Sequence, residues 1–454
     1  MKKISREVSR RKFLATALTS VAAPMLLGSF AKAAKPETQK KLRHAAIGIG
    51  GMGMNDLENF ISHPQVEIVA LCDVDENHLK KAAQMAPGAR TYIDWREMLK
   101  KEKASIDSIN VAVPDHSHCV IAIKAIEAGK HVYCQKPMCH DVAEVRALTN
   151  AAVRAGVITQ LGTQHASGIG DRTAVQWIKQ GAIGKIKHVY LCSNRPGAIA
   201  KYRLTGPRPD AGQAPPPNLH WDNWIGTAPM RPYIPDIYHP AIWRTWQDFG
   251  TGWSGDIGCH IFDAVWKGLG LKAPDSVFAE VQQSWQESAA RRADTWPQGD
   301  HITWTFPGNE LTDSSSLTLE WFDGEFYPPQ EIRALYSPDN YPAESAMLIG
   351  TKGALLIPHT QMPILLPQPS FKDYPLPTLE KRNHYHHFVD ACLGGPMTES
   401  HFAQSGPMTE AILLGTVAIR VPGQMLHWDA KNMKFPGLPE AEKYLRRKYR
   451  EGWS

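Results

Sequence analysis

A glycine-rich hexapeptide near the start of this 454-residue chain constrains the fold more than any other feature. The hexapeptide is Gly48-Ile49-Gly50-Gly51-Met52-Gly53, and it lies between an apolar run, 45–50, and a helix-forming stretch, 53–62. In such a turn the first glycine permits the tight bend, the second lets the backbone approach a pyrophosphate, and the third lets helix and strand pack closely. The helix N-terminus then faces the phosphates. The pattern predicts a dinucleotide-binding domain.

A carboxylate at the expected distance supports this interpretation. Asp73 ends the next predicted strand, 67–72, and lies 20 residues beyond Gly53. There it would accept hydrogen bonds from ribose hydroxyls. Because the same carboxylate would repel a 2′-phosphate, we expect NAD rather than NADP. A glycine-rich turn without a ligand is the alternative.

The chain from residue 43 to 163 alternates short apolar runs with helical stretches. This alternation is typical of strand–helix units on a parallel sheet, and predicts an α/β fold with an N-terminal Rossmann domain. The predicted strands are 45–50, 67–72, 108–113, 131–134 and 157–161, and the predicted helices are 53–62, 76–84, 120–128 and 142–155.

Residues 164–454 follow a different pattern, which predicts a second region built around another sheet. After a helix at 172–180 and a strand at 185–193 comes a long proline-rich segment, 197–240, whose length indicates a functional role. The later predicted strands alternate polar and apolar residues, as in an open, mainly antiparallel sheet. They are 276–285, 301–306, 317–322 and 346–357, and the basic tail 443–450 is expected to be a solvated helix face.

The first 33 residues resemble a twin-arginine export signal. Arg10-Arg11 precedes an uncharged apolar stretch, 13–30, and a small-residue site at 31–33, followed by a leader, 34–42. We therefore expect export of a folded, cofactor-loaded protein to the periplasm by the twin-arginine machinery. An ordinary secretory signal is the alternative; an uncleaved anchor is disfavoured because Pro24 interrupts a barely sufficient span.

Charge and cysteine usage exclude several classes of partner. The whole chain has a formal charge of +5, but residues 1–33 carry +6, so the remainder is close to −1. No basic field therefore remains for nucleic acid or for stable membrane association. The seven cysteines are scattered without paired spacing, so we expect no disulfide framework.

Three ordered motifs resemble those of the Gfo/Idh/MocA (glucose–fructose oxidoreductase / inositol dehydrogenase) family. Residues 113–118, VPDHSH, resemble its T-P-x-x-x-H motif, and residues 128–137, AGKHVYCQKP, resemble its A-G-K-H-V-x-x-E-K-P motif. Residues 250–263, GTGWSGDIGCHIFD, resemble its G-G-G…D-x-G-x-H-x-x-D element. The resemblance covers about residues 43–430.

The resemblance implies a Rossmann domain followed by an α/β domain whose open sheet faces the nicotinamide and often mediates oligomerisation. It implies that Lys136, Asp256 and His260 are catalytic, and we expect a homo-oligomer. The residues expected to contact the cofactor are Gly48, Gly50, Gly51, Met52, Gly53, Asp73, Pro114, His118 and Lys136.

Two positions depart from the family motifs. Gln135 replaces the usual glutamate, which removes a negative charge beside Lys136 and one influence that keeps the lysine protonated. Asp115 replaces asparagine, and we expect that change to affect only the turn. His118 matches the motif histidine and is expected to line the nicotinamide pocket, with a structural role equally open.

The three catalytic candidates also make chemical sense without the resemblance. Asp256 and His260 are spaced i, i+4, so on a helix they share one face. Alcohol oxidation needs a base for the hydroxyl proton, and histidine or a lysine of lowered pKa suits that role near neutral pH. Asp256 would orient the substrate or the imidazole. The structural alternatives are a surface lysine, a buried histidine and a helix cap.

Weaker substrate candidates follow the last Rossmann strand and the proline-rich segment. Gln164 and His165 lie where switch-point residues meet ligands. Aromatic residues and one arginine offer stacking surfaces for sugar rings, although tryptophans are also ordinary core residues: Trp221, Trp224, Trp243, Arg244 and Trp246. The run 384–387, HYHH, has no acidic or cysteine partner at ligand spacing, so no metal site is expected.

These observations favour a periplasmic, NAD-dependent oxidoreductase acting on a hydroxyl of a sugar, glycoside or cyclitol. Because no nicotinamide pool exists outside the cytoplasm, the cofactor should stay tightly bound and be recycled in place. A second sugar or external acceptor would reoxidise it, or a transient C3 ketone would permit glycosidic elimination before being reduced back, as in NAD-dependent glycosidases. A sugar-binding relative without catalysis is the remaining alternative.

Overall fold

The computed structural model describes residues 41–195, 208–209 and 211–453. The predicted export signal and the leader up to residue 40 lie outside these residues. The first domain is a six-stranded parallel sheet with helices between its strands. Its elements are β1 (Leu42–Ile47), α1 (Met52–Ile61), β2 (Val66–Cys72), α2 (Glu76–Met85), β3 (Arg90–Tyr92), α3 (Trp95–Glu102), β4 (Ser108–Val111), α4 (His118–Glu127), β5 (His131–Cys134), α5 (Val142–Ala155) and β6 (Thr159–Leu161).

Local sequence explains where several of these helices begin and end. Asp75, Asp94 and Asp141 accept hydrogen bonds from the first backbone N–H groups of α2, α3 and α5, which satisfies donors that a helix start leaves unpaired. Gly156 ends α5 in the left-handed conformation at φ 62°. The strands β4 and β6 are buried at every residue, as expected of a parallel sheet covered by helices on both faces.

The rest of the chain forms a second sheet, its covering helices and a long irregular segment. Residues 211–250 of that segment are called the strap below. The remaining elements are α6 (Ile169–Lys179), β7 (Ile186–Ser193), α7 (Trp221–Ile225), α8 (Gly252–Leu269), β8 (Ser276–Val281), α9 (Gln283–Gln286), α10 (Ala289–Asp294), β9 (Asp300–Pro307), β10 (Ser316–Asp323), α11 (Gln330–Ala334), β11 (Glu344–Gly350), β12 (Ala354–Pro358), β13 (Ile364–Leu366), α12 (His384–Cys392), α13 (Phe402–Arg420), β14 (Leu426–His427) and α14 (Pro439–Glu442).

The second sheet has eight strands in the order β13-β12-β11-β7-β10-β9-β8-β14. All neighbouring pairs are antiparallel except β7 and β10, which run parallel. The helices α8 and α13 pack against each other and against this sheet. The predicted fold class, a Rossmann domain followed by an α/β domain with a mainly antiparallel sheet, is therefore confirmed. Among the described residues, no helix is long and apolar enough to cross a membrane.

Two predicted strands are wrong in extent. The segment predicted as a strand over 276–285 leaves the sheet at Val281, and residues 283–286 form α9, which buries Trp285 completely. The segment predicted as one strand over 346–357 is a hairpin of β11 and β12 that reverses at a turn closed by the Gly350 N–H and the Gly353 carbonyl, 2.8 Å apart. Residues 350–353, Gly-Thr-Lys-Gly, form this turn between the two apolar stretches of the single predicted strand.

The prediction of a solvated helix at 443–450 is also wrong. The last helix ends at Glu442, and residues 446–450 lie in an irregular path across the Rossmann domain. Arg447 pairs with Glu144 at 2.6 Å, and the Leu445 carbonyl accepts from the Ala143 N–H. The tail is therefore packed against the start of α5. All seven cysteines are free thiols, six of them buried.

Candidate active site

The Rossmann sheet has the strand order β3-β2-β1-β4-β5-β6, so the direction of chain progression reverses between β1 and β4. Ligands of such sheets bind outside the carboxyl ends of the strands at this switch point. The glycine turn follows β1, Asp115 follows β4 and Lys136 follows β5. The fold therefore brings the three predicted sequence regions to one edge of the sheet.

The glycine turn has the geometry that a pyrophosphate requires. Gly48 has φ 77°, and a Cβ there would lie 2.4 Å from the Ala112 carbonyl oxygen, so only glycine fits. A Cβ on Gly53 would lie 2.0 Å from the Gly48 carbonyl oxygen, which is the close approach of helix to turn. Gly51, at φ 51°, faces open space, and Met52 is exposed beside it. The start of α1 is thus open to an anion.

Asp73 braces the glycine turn from the end of β2. Its carboxylate accepts hydrogen bonds from the N–H groups of Ile49 and Asp75, both at 2.8 Å. The imidazole of His78 lies 3.4 Å from the same carboxylate and fills the space that a Cβ on Gly50 would occupy. The carboxylate is positioned where ribose hydroxyls of a bound dinucleotide would meet it. These residues fit NAD.

Lys136 and Asp256 meet on the other side of the glycine turn. The Lys136 Nζ donates to Asp256 Oδ1 at 2.6 Å and to the Asp256 carbonyl at 3.2 Å. Arg244 Nε lies 3.5 Å from the second carboxylate oxygen of Asp256. Asp256 therefore orients the lysine, and its suggested contact with the substrate or the imidazole stays a prediction.

Aspartate in place of the family's asparagine at position 115 affects more than the turn, contrary to the expectation from the sequence. Its side chain is buried and accepts a hydrogen bond from the Thr251 hydroxyl at 3.1 Å. Burial and the neighbouring Asp256 carboxylate raise the pKa of Asp115 to about 7. The positive charges of Arg244 and Lys136 oppose that rise. Lys136, Arg244 and Asp256 are called the lysine cluster below. A second carboxyl group, that of Asp115, thus lies beside this cluster, with a pKa of about 7.

His260 belongs to a group of three histidines. It lies one helical turn beyond Asp256 on α8, with ring centroids 6.3 Å from His165 and 5.3 Å from His359. Burial and the nearby Lys136 charge lower the pKa of His260 well below its usual value, so its ring is neutral. Within the described residues its buried Nδ1 has no hydrogen-bond partner.

His359 was not predicted from the sequence. It follows β12, and its Nδ1 lies 3.1 Å from Oε2 of Glu344 on β11. Hydrogen bonds from His359 and Ser193 hold the pKa of Glu344 below its usual value, against the opposing effect of burial. A carboxylate thus orients an imidazole that faces His260. No motif marks this pair, because its residues lie on strands far along the chain from the glycine turn.

Gln135 acts differently from the sequence expectation. Its amide donates to both carboxylate oxygens of Asp56 at 2.9 Å, so it points away from the Lys136 ammonium. Burial raises the pKa of Asp56 to about 6, although hydrogen bonds to it oppose this. Gln164 donates to the Tyr385 hydroxyl at 3.2 Å, and that hydroxyl donates to Asp56 at 2.7 Å. Gln164 therefore joins a buried network in this structure.

His118 has a structural role in this structure, and its predicted contact with the cofactor stays a prediction. Its two ring nitrogens lie 2.7 Å from the carbonyl oxygens of Pro137 and Val113, and the N–H of the ring can donate to one of them. The ring thus packs between the Lys136 turn and the end of β4. Pro114 lies after β4, directly before a short 3₁₀ helix, Asp115–Ser117.

The tryptophans proposed as sugar contacts are mostly core residues. Trp221 and Trp224 stack at 4.7 Å within a cluster that also buries Trp246. Trp243 is 5% exposed, and the Arg244 guanidinium lies 4.2 Å above its ring. Trp243 therefore supports Arg244, and Arg244 alone of this set reaches the lysine cluster.

The strap crosses the carboxyl edge of the Rossmann sheet. On one side it pairs with the loop after β2, where Asn218 Nδ2 and His239 Nε2 lie 2.8 and 3.1 Å from the Asp75 carboxylate. Backbone hydrogen bonds from Glu76 to Asn218 and from His220 to Val74 reinforce this contact. On the other side the Thr227 hydroxyl donates to the carbonyl of His116, which follows β4, at 2.6 Å.

The histidine run 384–387 serves helix α12. His384 uses Nδ1 and Nε2 on the Ser167 hydroxyl and the Leu161 carbonyl, and His386 Nε2 lies 2.8 Å from the Ser62 hydroxyl. None of the four residues is part of a ligand cluster within the described chain.

Family models match both domains of the chain. Residues 42–163 match an oxidoreductase family model described as an NAD-binding Rossmann fold, and residues 172–307 match the C-terminal α/β domain of the same family. The chain belongs to the Gfo/Idh/MocA family of oxidoreductases.

Individual relatives cover only parts of this family member. It is 37% identical to D-apiose dehydrogenase of Paraburkholderia graminis over 26% of its own length and 32% of that protein. It is 27% identical to a glycosyl hydrolase family 109 protein of Stenotrophomonas maltophilia over 52% of its length and 50% of that protein. Levoglucosan dehydrogenase of Pseudarthrobacter phenanthrenivorans is 32% identical over 37% and 34% of the two chains. The chain thus spans between about a third and a half of these curated relatives.

Two solved structures share the fold. The WlbA dehydrogenase of Chromobacterium violaceum, in complex with NADH and UDP-GlcNAcA, has a TM-score of 0.60 at 16% identity over 87% of this chain and 97% of its own. The aldose-aldose oxidoreductase of Caulobacter crescentus has a TM-score of 0.57 at 17% identity over 86% and 100%.

Proposed function

We propose that this family member oxidises a hydroxyl of a sugar, glycoside or cyclitol with a tightly held NAD that is recycled in place. The observation that carries the proposal is the 2.6 Å contact of Lys136 Nζ with Asp256, which lies beside neutral His260 near the switch point. Dehydrogenases of sugars are among its relatives. Bound NAD supplies the hydride acceptor.

In this proposal the side chains handle the proton and orient the substrate. His260 accepts the hydroxyl proton, because its ring is neutral and its Nδ1 is free among the described residues. Lys136 donates a hydrogen bond to the reacting oxygen, and Asp256 fixes the ammonium for that contact. Arg244 completes the cluster, held over the ring of Trp243.

The strap supports tight retention of the cofactor. It is anchored beside Asp73 and again at His116, so it flanks both sides of the switch point. It also has its own aromatic core, which makes it a folded cover rather than a loose loop. A retained cofactor suits the periplasmic location that the arginine pair predicts.

A redox-neutral glycosidase is the second candidate, favoured by the likeness to a glycosyl hydrolase family 109 protein. In that scheme a C3 ketone makes the C2 proton acidic, and elimination releases the aglycone and leaves a C1–C2 double bond. Water then adds to C1 as a proton returns to C2, and the ketone is reduced by the hydride first removed. Paired catalytic carboxylates are not needed.

Product analysis separates the two candidates. The purified holoenzyme is incubated with nitrophenyl glycosides and with free sugars, while nicotinamide fluorescence and products are followed. A ketone or lactone product supports the oxidoreductase, and released nitrophenol supports the glycosidase. Unchanged fluorescence without any product across the panel contradicts both.

A further inference from the structure

A cationic pocket lies apart from the lysine cluster, where the strap, α13 and the C-terminal tail meet the segment before α5. It encloses about 240 Å³. It is called the tail pocket here, and its lining includes His140, Asp141, Gln247, Asp248, Arg420, Lys443, Arg446, Arg447 and Lys448.

The charges that line the tail pocket do not balance. Its two carboxylates are already paired, Asp248 with Arg208 at 3.0 Å and Arg231 at 2.8 Å, and Asp141 with Arg447 at 3.7 Å. Within the described residues, four further cations lack a carboxylate partner: Arg420, Lys443, Arg446 and Lys448. The pocket therefore carries a surplus of positive charge.

Arg420 is the most constrained of these cations. Its guanidinium lies 4.9 Å from the Trp296 ring and 4.6 Å from the Tyr444 ring, and Nε donates to the Thr416 carbonyl at 3.2 Å. Its burial lowers the pKa of Arg420 to about 10. The two aromatic faces offset part of the cost of burying this charge, and an anion would offset the rest.

His140 gives an independent indication of a missing ligand. Its side chain is 5% exposed; the Gln247 backbone lies near the ring, but neither ring nitrogen makes a well-aligned hydrogen bond among the described residues. Buried polar groups in proteins are nearly always paired with protein, water or a ligand. A ligand in the tail pocket would accept the N–H of this ring.

We propose that the tail pocket binds an oxyanion of the phosphate or sulfate class, with Arg420 and His140 as its buried donors. A planar guanidinium donates in pairs to such an anion, and the exposed lysines add charge at the rim. The volume far exceeds the ~30 Å³ of one water, so it holds a tetrahedral anion with part of its hydration, or the ester group of a sugar.

The bound anion would connect the C-terminal tail to the segment that follows Lys136. His140 lies four residues beyond Lys136, and the Arg447 of the tail already pairs with Glu144 in the first turn of α5. Because the ligand would bind only the folded chain, it would also raise the unfolding temperature by mass action.

The test uses NAD-saturated protein, so that the glycine turn after β1 is occupied and cannot bind the added phosphate or sulfate. Sodium phosphate and sodium sulfate are titrated calorimetrically, and unfolding temperatures are compared with sodium chloride at equal ionic strength. We expect one anion per chain and a rise in unfolding temperature that chloride does not reproduce. Arg420→Gln should weaken binding about tenfold or more, whereas Arg154→Gln at the exposed end of α5 should not.

A rim variant, Lys443→Gln with Arg446→Gln, keeps the proposal testable if Arg420→Gln does not fold. It should weaken binding severalfold, because both side chains are exposed at the pocket. Glucose 6-sulfate with glucose as its control identifies the source: tighter binding than sulfate indicates a sugar ester, and equal binding indicates the free ion. Equal responses to chloride and phosphate, or unchanged affinity in the folded variants, would overturn the proposal.

Discussion

The two sides of the switch point are built in different ways. On the Lys136 side, single side chains from the end of β5, from α8 and, through Arg244, from the strap converge within a few ångströms. On the Asp73 side, the strap lies across the loop after β2 and is held partly by backbone hydrogen bonds. Side-chain chemistry needs particular residues, whereas backbone contacts place few demands on sequence. The residues of the first side can therefore be predicted from motifs, whereas the strap contacts of the second side are seen only in the folded chain.

Lys136→Ala should have the largest effect, and it should lower catalysis without affecting the Asp73 side of the switch point. Loss of the ammonium beside the reacting oxygen should lower kcat about a hundredfold to ten-thousandfold. NAD retention and unfolding temperature should change little. Lys124→Ala, on the exposed face of α4, is the control and should keep full activity. Steady-state assays with bound-nucleotide measurements check this, and full activity of the Lys136 variant would reject its role.

Loss of the strap anchors should have the converse effect. Asn218→Ala with His239→Ala removes two hydrogen bonds to the Asp75 carboxylate, which should speed NAD release about tenfold to a hundredfold. The rate of the bound-state reaction should stay close to wild type. Release is measured by displacement with labelled NAD, and His427→Ala on β14 is the exposed control. An unchanged release rate would remove the strap from cofactor retention.

Asp115→Asn tests whether a second carboxyl group, that of Asp115, titrates beside Lys136 and Asp256. The native pKa of about 7 exceeds the ordinary 3.8, so folding favours the protonated form. The stability due to this group is therefore complete below pH 4 and is lost as pH rises toward 7. The variant should remove this loss, on the order of 4 kcal/mol between pH 4 and pH 8 for a pKa raised from 3.8 to about 7, and flatten the pH profile of kcat. Unfolding at both pH values checks the sign; an unaltered difference between them contradicts it.

Gln135→Glu should have the smallest effect. It restores the usual family residue but places a second carboxylate against Asp56, whose pKa is about 6. We expect a loss of about 1–2 kcal/mol at pH 8 and less at pH 5, where a shared proton relieves the repulsion. Adding Asp56→Asn should restore stability. Chemical denaturation measures both, and an equal loss at the two pH values would contradict the pairing.

Local patterns predicted much of the fold and the centre of the candidate site. Periodicity placed most Rossmann strands and helices within a few residues, because short strands rich in apolar residues alternate with helical stretches. It missed the hairpin of β11 and β12 because the short turn at 350–353 falls within one predicted strand.

The rest of the site depends on contacts between distant parts of the chain. Lys136 and Asp256 lay within motifs, but Glu344 and His359 have no sequence signal, and Asp115 looked like a turn residue. The tryptophans of the strap were ambiguous until packing showed that they form its core.

Retention of the cofactor is the most direct test of the account. The protein is purified from the cytoplasm, passed through gel filtration without added nucleotide, and then mixed with substrate and a second sugar as hydride acceptor while nicotinamide fluorescence is recorded. We predict one bound nicotinamide per chain that becomes reduced and is reoxidised through repeated turnovers without added NAD. Protein that emerges free of nucleotide, and forms product only in proportion to added NAD, would contradict the account.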